Sequence, residues 1–270
     1  MDWREKLLNI TSQNNSLLCV GLDSDSGKLP KFLLGRSKNP LFDFNKGIID
    51  ATKDLVCAYK LNMAFYEVAG TKGVEALEKT IQYIPNNIFI ILDGKRNDIG
   101  NTAQKYAQSL FETLKADAVT INPYLGKDGV SPFLEYKEKC SFILCRTSNP
   151  SAGDFQDLMV SSTPVYQIVA RKIREWDTNK NCGAVVGATY PEELKTVRSI
   201  LGDDIPILIP GIGKQGGDVE ITVRNGTNSH GEMALINSSR EIIFAGDNEG
   251  FAEQARKKAE FVRNDINNYR

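Results

Sequence analysis

Eight short, nearly unbroken apolar runs recur along the chain, at residues 16–22, 57–62, 88–93, 118–122, 141–146, 183–187, 206–209 and 233–237. A strand with one face in water alternates apolar and polar residues, whereas a parallel strand covered on both faces reads as a continuous hydrophobic run. Parallel strands need long crossovers, usually helices. The stretches between the runs supply them, for example TKGVEALEKTIQYI, NTAQKYAQSLFETLKA, TPVYQIVARKIREW and PEELKTVRSI, with FAEQARKKAEFVRNDI closing the chain. TPVYQ and YPEEL place proline in the first turn of a helix, where its missing N–H costs little. The N-terminal MDWREKLLNITSQ reads as a short helix leading into the first strand.

About eight β-then-α units predict an α/β fold: a single (β/α)8 TIM barrel with a short N-terminal helix, one domain over residues 1–270. The alternative is an open doubly wound sheet, which usually carries a glycine-rich turn after its first strand. GLDSDSGKLP lacks that spacing. No internal repeat, low-complexity tract or domain linker interrupts the pattern. The longest irregular stretch, 147–163, follows the fifth strand, and a loop of that length in a compact domain is often functional.

Lys and Arg total 33 against 34 Asp and Glu. Nucleic-acid binders are usually markedly basic, so this balance argues against one, although a local basic pocket for a phosphate remains open. No apolar run reaches the roughly 18 residues a membrane helix needs, and the charged N-terminus lacks a signal-peptide core. The five cysteines, Cys19, Cys57, Cys140, Cys145 and Cys182, form no CxxC pair and mostly sit in apolar runs. Buried thiols in a reducing compartment are expected, which places the protein in the cytoplasm. The one histidine, His230, lies in the polar loop RNGTNSHGE and reads as a loop residue. Acid–base chemistry therefore falls to lysine and carboxylates.

The third run ends abruptly in charge: IFIILDGKRNDIGNTAQKYA. Positions i and i+2 of a strand share a face, so Asp93 and Lys95 point the same way, toward the mouth where active sites of barrels lie. Asp98 falls in the turn before the next helix, for which Asn101 and Gln104 resemble a capping box. Lys60 is a lone cation inside the apolar CAYKLNMAFYE. Burial would strip its charge unless an acid stood nearby, so Lys60, Asp93, Lys95 and Asp98 read as an alternating network of two cations and two anions. Such a network costs several kcal/mol of desolvation per ion before pairing, which favours a functional over a structural reading. Asp23 in LLCVGLDSD is either a third inward-pointing acid or a turn former, and Asn122 in TINPYLG could likewise only organise a turn. Arg96 is assigned a structural role.

Two later loops suit an anion. Barrels often bind phosphate with the loops after strands seven and eight, using backbone N–H groups and a short helix. ILIPGIGKQGGD and INSSREIIFAG occupy those places, with Gly211, Gly213, Gly216 and Gly217 permitting close backbone approach and Arg240 offering a bidentate guanidinium. There is no Walker-type motif and no His/Cys metal set.

The D-x-K-x-x-D array of LDGKRNDIGNTA, Lys60 in YKLNMAFYE, and the LIPGIGKQGG and NSSR segments resemble orotidine 5′-phosphate decarboxylase, in the style of its longer bacterial branch. GLDSD, INPYLG, RTSNPS and VVGATYPEEL extend the resemblance over nearly the whole chain. The resemblance implies cofactor-independent decarboxylation of orotidine 5′-monophosphate to UMP, the last step of de novo UMP biosynthesis, with no metal or organic cofactor. Lys95 would protonate C6, Asp93 would lie beside the substrate carboxylate, and Lys60 and Asp98 would complete the charge network. A homodimer with shared active sites is implied, Asp98, Ile99 and Thr102 serving the neighbouring site. Asp23 and Lys60 would contact ribose hydroxyls, Ser148 the pyrimidine ring and Pro210 the base pocket. Gln215 and Arg240 would hold the phosphate, and the 147–163 loop would be the lid. No nucleic acid or membrane partner is implied, and a fused orotate phosphoribosyltransferase has no room alongside the barrel.

Two positions depart from the family pattern: Gly94 stands where alanine is expected, and Asn97 where glycine is common. They leave the charged spacing intact. The nearest rival is a metal-dependent sugar-phosphate decarboxylase of the same superfamily, with magnesium on the carboxylates of the array. A non-catalytic phosphate-sensing barrel is a rival of another class, against which the intact charged set counts.

Overall fold

The computed structural model describes residues 2–213 and 216–270. All eight expected runs form strands of one closed, parallel barrel: β1 (Leu18–Gly21), β2 (Ala58–Asn62), β3 (Phe89–Arg96), β4 (Ala118–Ile121), β5 (Cys140–Arg146), β6 (Cys182–Val186), β7 (Ile207–Pro210) and β8 (Ala234–Ser238). Neighbours in sequence are neighbours in the barrel, and β8 closes on β1 with Leu18 opposite Ile236. Every residue of β1, β4, β6 and β8 is buried. That accounts for runs that are apolar throughout, since barrel packing lies on one face and helices on the other.

The helices at Gly70–Tyr83, Pro191–Leu201 and Phe251–Asn267 lie where the sequence places them. Pro191 occupies the first turn of its helix, and Gly202 stops that helix at a φ of +73°, a left-handed conformation that costs glycine little. Pro164 differs from expectation. It precedes the helix Val165–Trp176 with extended backbone and pairs, with Thr163, against Met159–Val160 in a small hairpin. The 147–163 stretch therefore has structure of its own, including a helical turn at Gly153–Gln156.

The expected capping box is not formed. The helix runs Gly100–Gln108 with extended Ile99 at its N-cap and no side-chain cap, because it starts two residues early and leaves Asn101 inside its first turn. The Asp98 carboxylate instead accepts the N–H of Ile99 at 2.8 Å. Beyond Gln108 the helix widens into a π turn at Ser109–Thr113.

The N-terminal helix, Trp3–Gln13, is capped by Asp2 and buries Trp3, Leu7 and Ile10 beneath the barrel. Its Lys6 meets Asp117 at 2.6 Å, and the same carboxylate oxygen accepts the N–H of Ile90 at 2.9 Å. The start of β3 is thereby tied to both β4 and the N-terminal helix. His230 lies in the exposed turn that enters β8, at the end of the barrel away from the charged cluster.

Candidate active site

β1, β2 and β3 deliver their charges to one point at the C-terminal mouth. Register places Lys60 beside Ile91 and Asn62 beside Asp93, and the ladder continues past β1 with Leu22 N–H on the Lys60 carbonyl at 2.8 Å. Lys60 is 3 % exposed and Asp93 7 %. The Lys60 ammonium lies 3.3 Å from Asp23 Oδ1 and 3.2 Å from Asp93 Oδ2, while the Lys95 ammonium lies 2.6 Å from Asp93 Oδ1. Asp23 thus does more than form a turn: it points inward and shares Lys60. Thr120 of β4 donates its hydroxyl to Asp93 Oδ1 at 2.7 Å.

Electrostatics follow from that packing. Burial works against the charge on Asp93, but Lys60 and Lys95 outweigh it and hold the carboxyl down at about 2. Burial likewise opposes the Lys60 ammonium, and Asp23 and Asp93 together raise it above the usual lysine range. Both groups are therefore ionised at neutral pH. Lys95 differs from Lys60 in access. Its side chain is 47 % exposed against 4 % for Lys60, so its ammonium is open to the cavity while that of Lys60 is enclosed between the two carboxylates at the cavity wall.

Asp98 is not part of this cluster within the chain. Its carboxylate is used locally, as above, and Ile99 and Thr102 are exposed. Arg96 leaves the cluster on the opposite side of the strand, where its guanidinium meets Glu67 at 2.6 Å and lies over the Tyr106 ring. Asn122 organises a turn by accepting the N–H of Tyr124. The glycine at 94 has a local cause: a Cβ there would stand 2.9 Å from Met63 Sδ and 3.3 Å from Arg96 Nε.

A cavity of about 470 Å³ opens above the cluster, bounded by Asp23, Lys60, Asp93 and Lys95 on one side and by Leu144, Val185, Leu208 and Pro210 on the other. One wall is thus charged and the other apolar. Ser148 lies at its rim, where Gly187 lets the β5 loop pack close: a Cβ on Gly187 would meet Ser148 Cβ at 2.7 Å. Asp23, Ser148, Pro210 and Asn237 also border a second cavity of about 730 Å³, which reaches Gly211, Gly213, Ser239 and Arg240. The loop after β7 is tight. Gly217 N–H bonds the Gly211 carbonyl at 2.9 Å, Gly211 and Gly213 have φ of +98° and +121°, and a Cβ on Gly216 would overlap the Gly211 carbonyl. Arg240 opens a short helix, Arg240–Ile243, and is exposed to this second cavity. Gln215 lies outside the described residues.

Three residues at the mouth carry no role in the sequence reading. Thr120 is hidden within AVTI, Asn62 ends β2 at the cavity, and Arg146 ends β5. Arg146 is 2 % exposed, stacks on Tyr190 and donates to Thr147 O, Gln156 Oε1 and Asp157 Oδ2, which fixes the base of the 147–163 loop. A charge closing an apolar run is the same signal that marks Lys60 and Asp93, and it was available for Arg146.

The chain shares this architecture and sequence with known proteins. A model of the "Orotidine 5'-phosphate decarboxylase / HUMPS family" matches residues 16–255. An orotidine 5′-phosphate decarboxylase of Cellvibrio japonicus is 48% identical over 272 residues, covering 99% of this chain and 98% of that protein. A namesake from Ralstonia nicotianae is 47% identical over 274 residues, covering all of both chains. Among solved structures, OMP decarboxylase of Leishmania donovani superposes with a TM-score of 0.83 at 35% identity, covering 97% of this chain and 99% of that one. The UMP synthase of the same organism superposes with a TM-score of 0.85 at 37% identity, and there the match covers 97% of this chain but 57% of the longer one. The chain belongs to the orotidine 5′-phosphate decarboxylase / HUMPS family of enzymes.

Proposed function

We propose that the chain decarboxylates orotidine 5′-monophosphate to UMP, the last step of de novo UMP synthesis, with Lys95 as the proton donor to C6. The observation that carries this reading is the Lys95 ammonium, open to the cavity yet held 2.6 Å from a buried, ionised Asp93. In the reaction the C6–carboxylate bond breaks, its electron pair stays on C6 and carbon dioxide leaves. Lys95 gives a proton to C6, and its amine is reprotonated from solvent. No ring atom can delocalise that pair, so stabilisation must be electrostatic, and a preorganised cation in a water-poor site is the largest contribution available. Asp93 beside the substrate carboxylate disfavours the charge that the reaction removes. Lys60, locked between Asp23 and Asp93, holds both carboxylates aimed and keeps Asp93 ionised.

For the described residues, the remaining roles follow the two cavities. Asp23 and Lys60 take ribose hydroxyls, Ser148 the pyrimidine ring, and Pro210 the base pocket. Arg240 and Gln215 take the phosphate, whose binding energy can hold the 147–163 lid closed over the reacting centre. No metal or organic cofactor takes part in this scheme. Because Asp98 is not joined to the cluster within one chain, we assign it to a homodimer in which the partner subunit's Asp98 completes the network, with the partner subunit's Ile99 and the partner subunit's Thr102 beside it. Exposed Ile99, Tyr124, Leu125, Phe155, Leu158 and Met159 crown the loops after β3, β4 and β5, and Tyr124 and Phe155 meet edge to face. An apolar surface of this kind favours a protein contact. The whole chain acts as one barrel domain, and the cytoplasm is its proposed location. No helix among the described residues is long and apolar enough to cross a membrane.

The test is a spectroscopic assay for loss of orotidine 5′-monophosphate, with wild type and Lys95→Ala side by side, each with and without a chelator. Turnover by the wild type, insensitive to the chelator and lost in Lys95→Ala, is expected. No wild-type turnover would sink the substrate assignment, and undiminished turnover by Lys95→Ala would sink the proton-donor role. Mixing inactive Lys95→Ala with inactive Asp98→Ala should restore activity, since each heterodimer holds one intact site. Failure despite subunit exchange would remove the shared-site proposal.

A further inference from the structure

The β3–β4 pairing breaks at the reactive residues. Leu92 pairs with Val119, and the next pair is Arg96 with Ile121. Asp93, Gly94 and Lys95 therefore face Thr120 alone. Extra residues in one strand lose their ladder partners. Lys95 takes up the excess by turning to a φ of +45°, a left-handed conformation rare for a residue with a side chain. Its N–H would be left without an acceptor inside the barrel wall, and Thr120 Oγ1 accepts it at 3.0 Å. The same oxygen then donates to Asp93 Oδ1 at 2.7 Å, and Asp93 Oδ1 accepts from the Lys95 ammonium at 2.6 Å.

We infer that Thr120 is a positioning residue for the decarboxylation: its hydroxyl closes a hydrogen-bonded ring that fixes the backbone of Lys95 and the carboxylate of Asp93 together. The inference rests on the proposed roles of Lys95 and Asp93. A serine supplies the same two bonds, whereas valine matches the shape of threonine and supplies neither. Thr120 is 1 % exposed and belongs to the wall beneath the cavity rather than to its open rim, so it acts through the two charged groups. The hydroxyl adds to the lysines in favouring the charged form of Asp93.

Wild type, Thr120→Val, Thr120→Ser and Lys95→Ala are to be compared for kcat, KM and thermal midpoint, with Thr120→Ala replacing the valine variant if that one does not fold. Loss of the hydroxyl should lower kcat roughly 10- to 100-fold, the scale expected when a reacting group is displaced by about 1 Å. KM should stay within about threefold and serine should restore kcat to near the wild-type value, because substrate binding is shared among many groups. A crystal structure of Thr120→Val should show the Lys95 ammonium displaced from Asp93. If Lys95→Ala is inactive while Thr120→Val keeps wild-type kcat, the inference fails and the proposed function stands. A serine variant as impaired as the valine one, or a loss tracking only the thermal midpoint, also overturns it. Full activity in Lys95→Ala would instead remove the reading on which it rests.

Discussion

On one side of the barrel mouth, β1, β2 and β3 end in Asp23, Lys60, Asp93 and Lys95, each ion-paired within 3.3 Å. On the other, β7 and β8 end in Pro210, a run of glycines and the exposed Arg240. The charged side is built from side chains on or just past the strands, ion-paired with one another before any ligand arrives, with Lys60 and Asp93 buried and Lys95 open to the cavity. The glycine side is built from backbone, with left-handed turns at Gly211 and Gly213 bordering the cavity proposed for the phosphate. A reacting centre needs charges that do not relax. A distant phosphate needs only contacts whose energy can be spent on closure. The difference predicts that lesions on the first side change kcat and lesions on the second change KM.

The largest break in this contrast should come from Asp93→Asn, which keeps shape and removes charge. It should lower kcat by about 10³-fold or more, near the upper range for a single preorganised electrostatic group, with a smaller change in KM under steady-state assay. Next comes Arg240→Ala. Losing the charge-assisted, bidentate contact proposed for Arg240 should raise KM by roughly 10- to 100-fold while kcat changes far less. An equal loss in kcat would show that the phosphate grip and the chemistry are not separable.

A third effect is on stability and distinguishes the sides by pH. The Asp93 carboxyl is depressed to about 2 in the folded protein, below its unfolded value near 4. Its contribution is therefore fully present above the unfolded pKa and is lost as pH falls through the folded one. The stability gap between wild type and Asp93→Asn, followed by denaturant titration, should narrow by on the order of 2 kcal/mol between about pH 5 and pH 2. Arg240→Ala should show no such convergence. The smallest effect is expected from Gly213→Ala, where φ is +121° and the new Cβ would crowd Glu241. A cost of about 1 kcal/mol in thermal unfolding, with a modest rise in KM, would fit a loop tuned for backbone approach.

Strand positions were legible because parallel barrel strands leave continuous apolar runs, and Lys60, Asp93 and Lys95 were legible because charge interrupts those runs. Thr120 was not. Threonine is an ordinary strand residue, and its importance comes from a register break between two strands that no local pattern records. The helix start at Gly100 was misread through Asn101 and Gln104, since a capping box shares its residue types with any polar first turn. Asp98 illustrates a different limit: its spacing from Lys95 reads as one network, whereas within the chain its carboxylate accepts the N–H of Ile99 and joins no ion pair of the cluster, and the neighbouring site expected for it requires a second chain. Arg146 carried the right signal and received no role, because at the end of β5 it reads equally well as a strand leaving the core.

The tie at the bottom of the barrel has a practical corollary for anyone handling the protein. Through Asp117, Lys6 of the first helix is coupled to Ile90, the second residue of the strand that ends in Asp93 and Lys95. An affinity tag or fusion partner that unwinds residues 3–13 would free that strand at its base, one barrel height from the cavity.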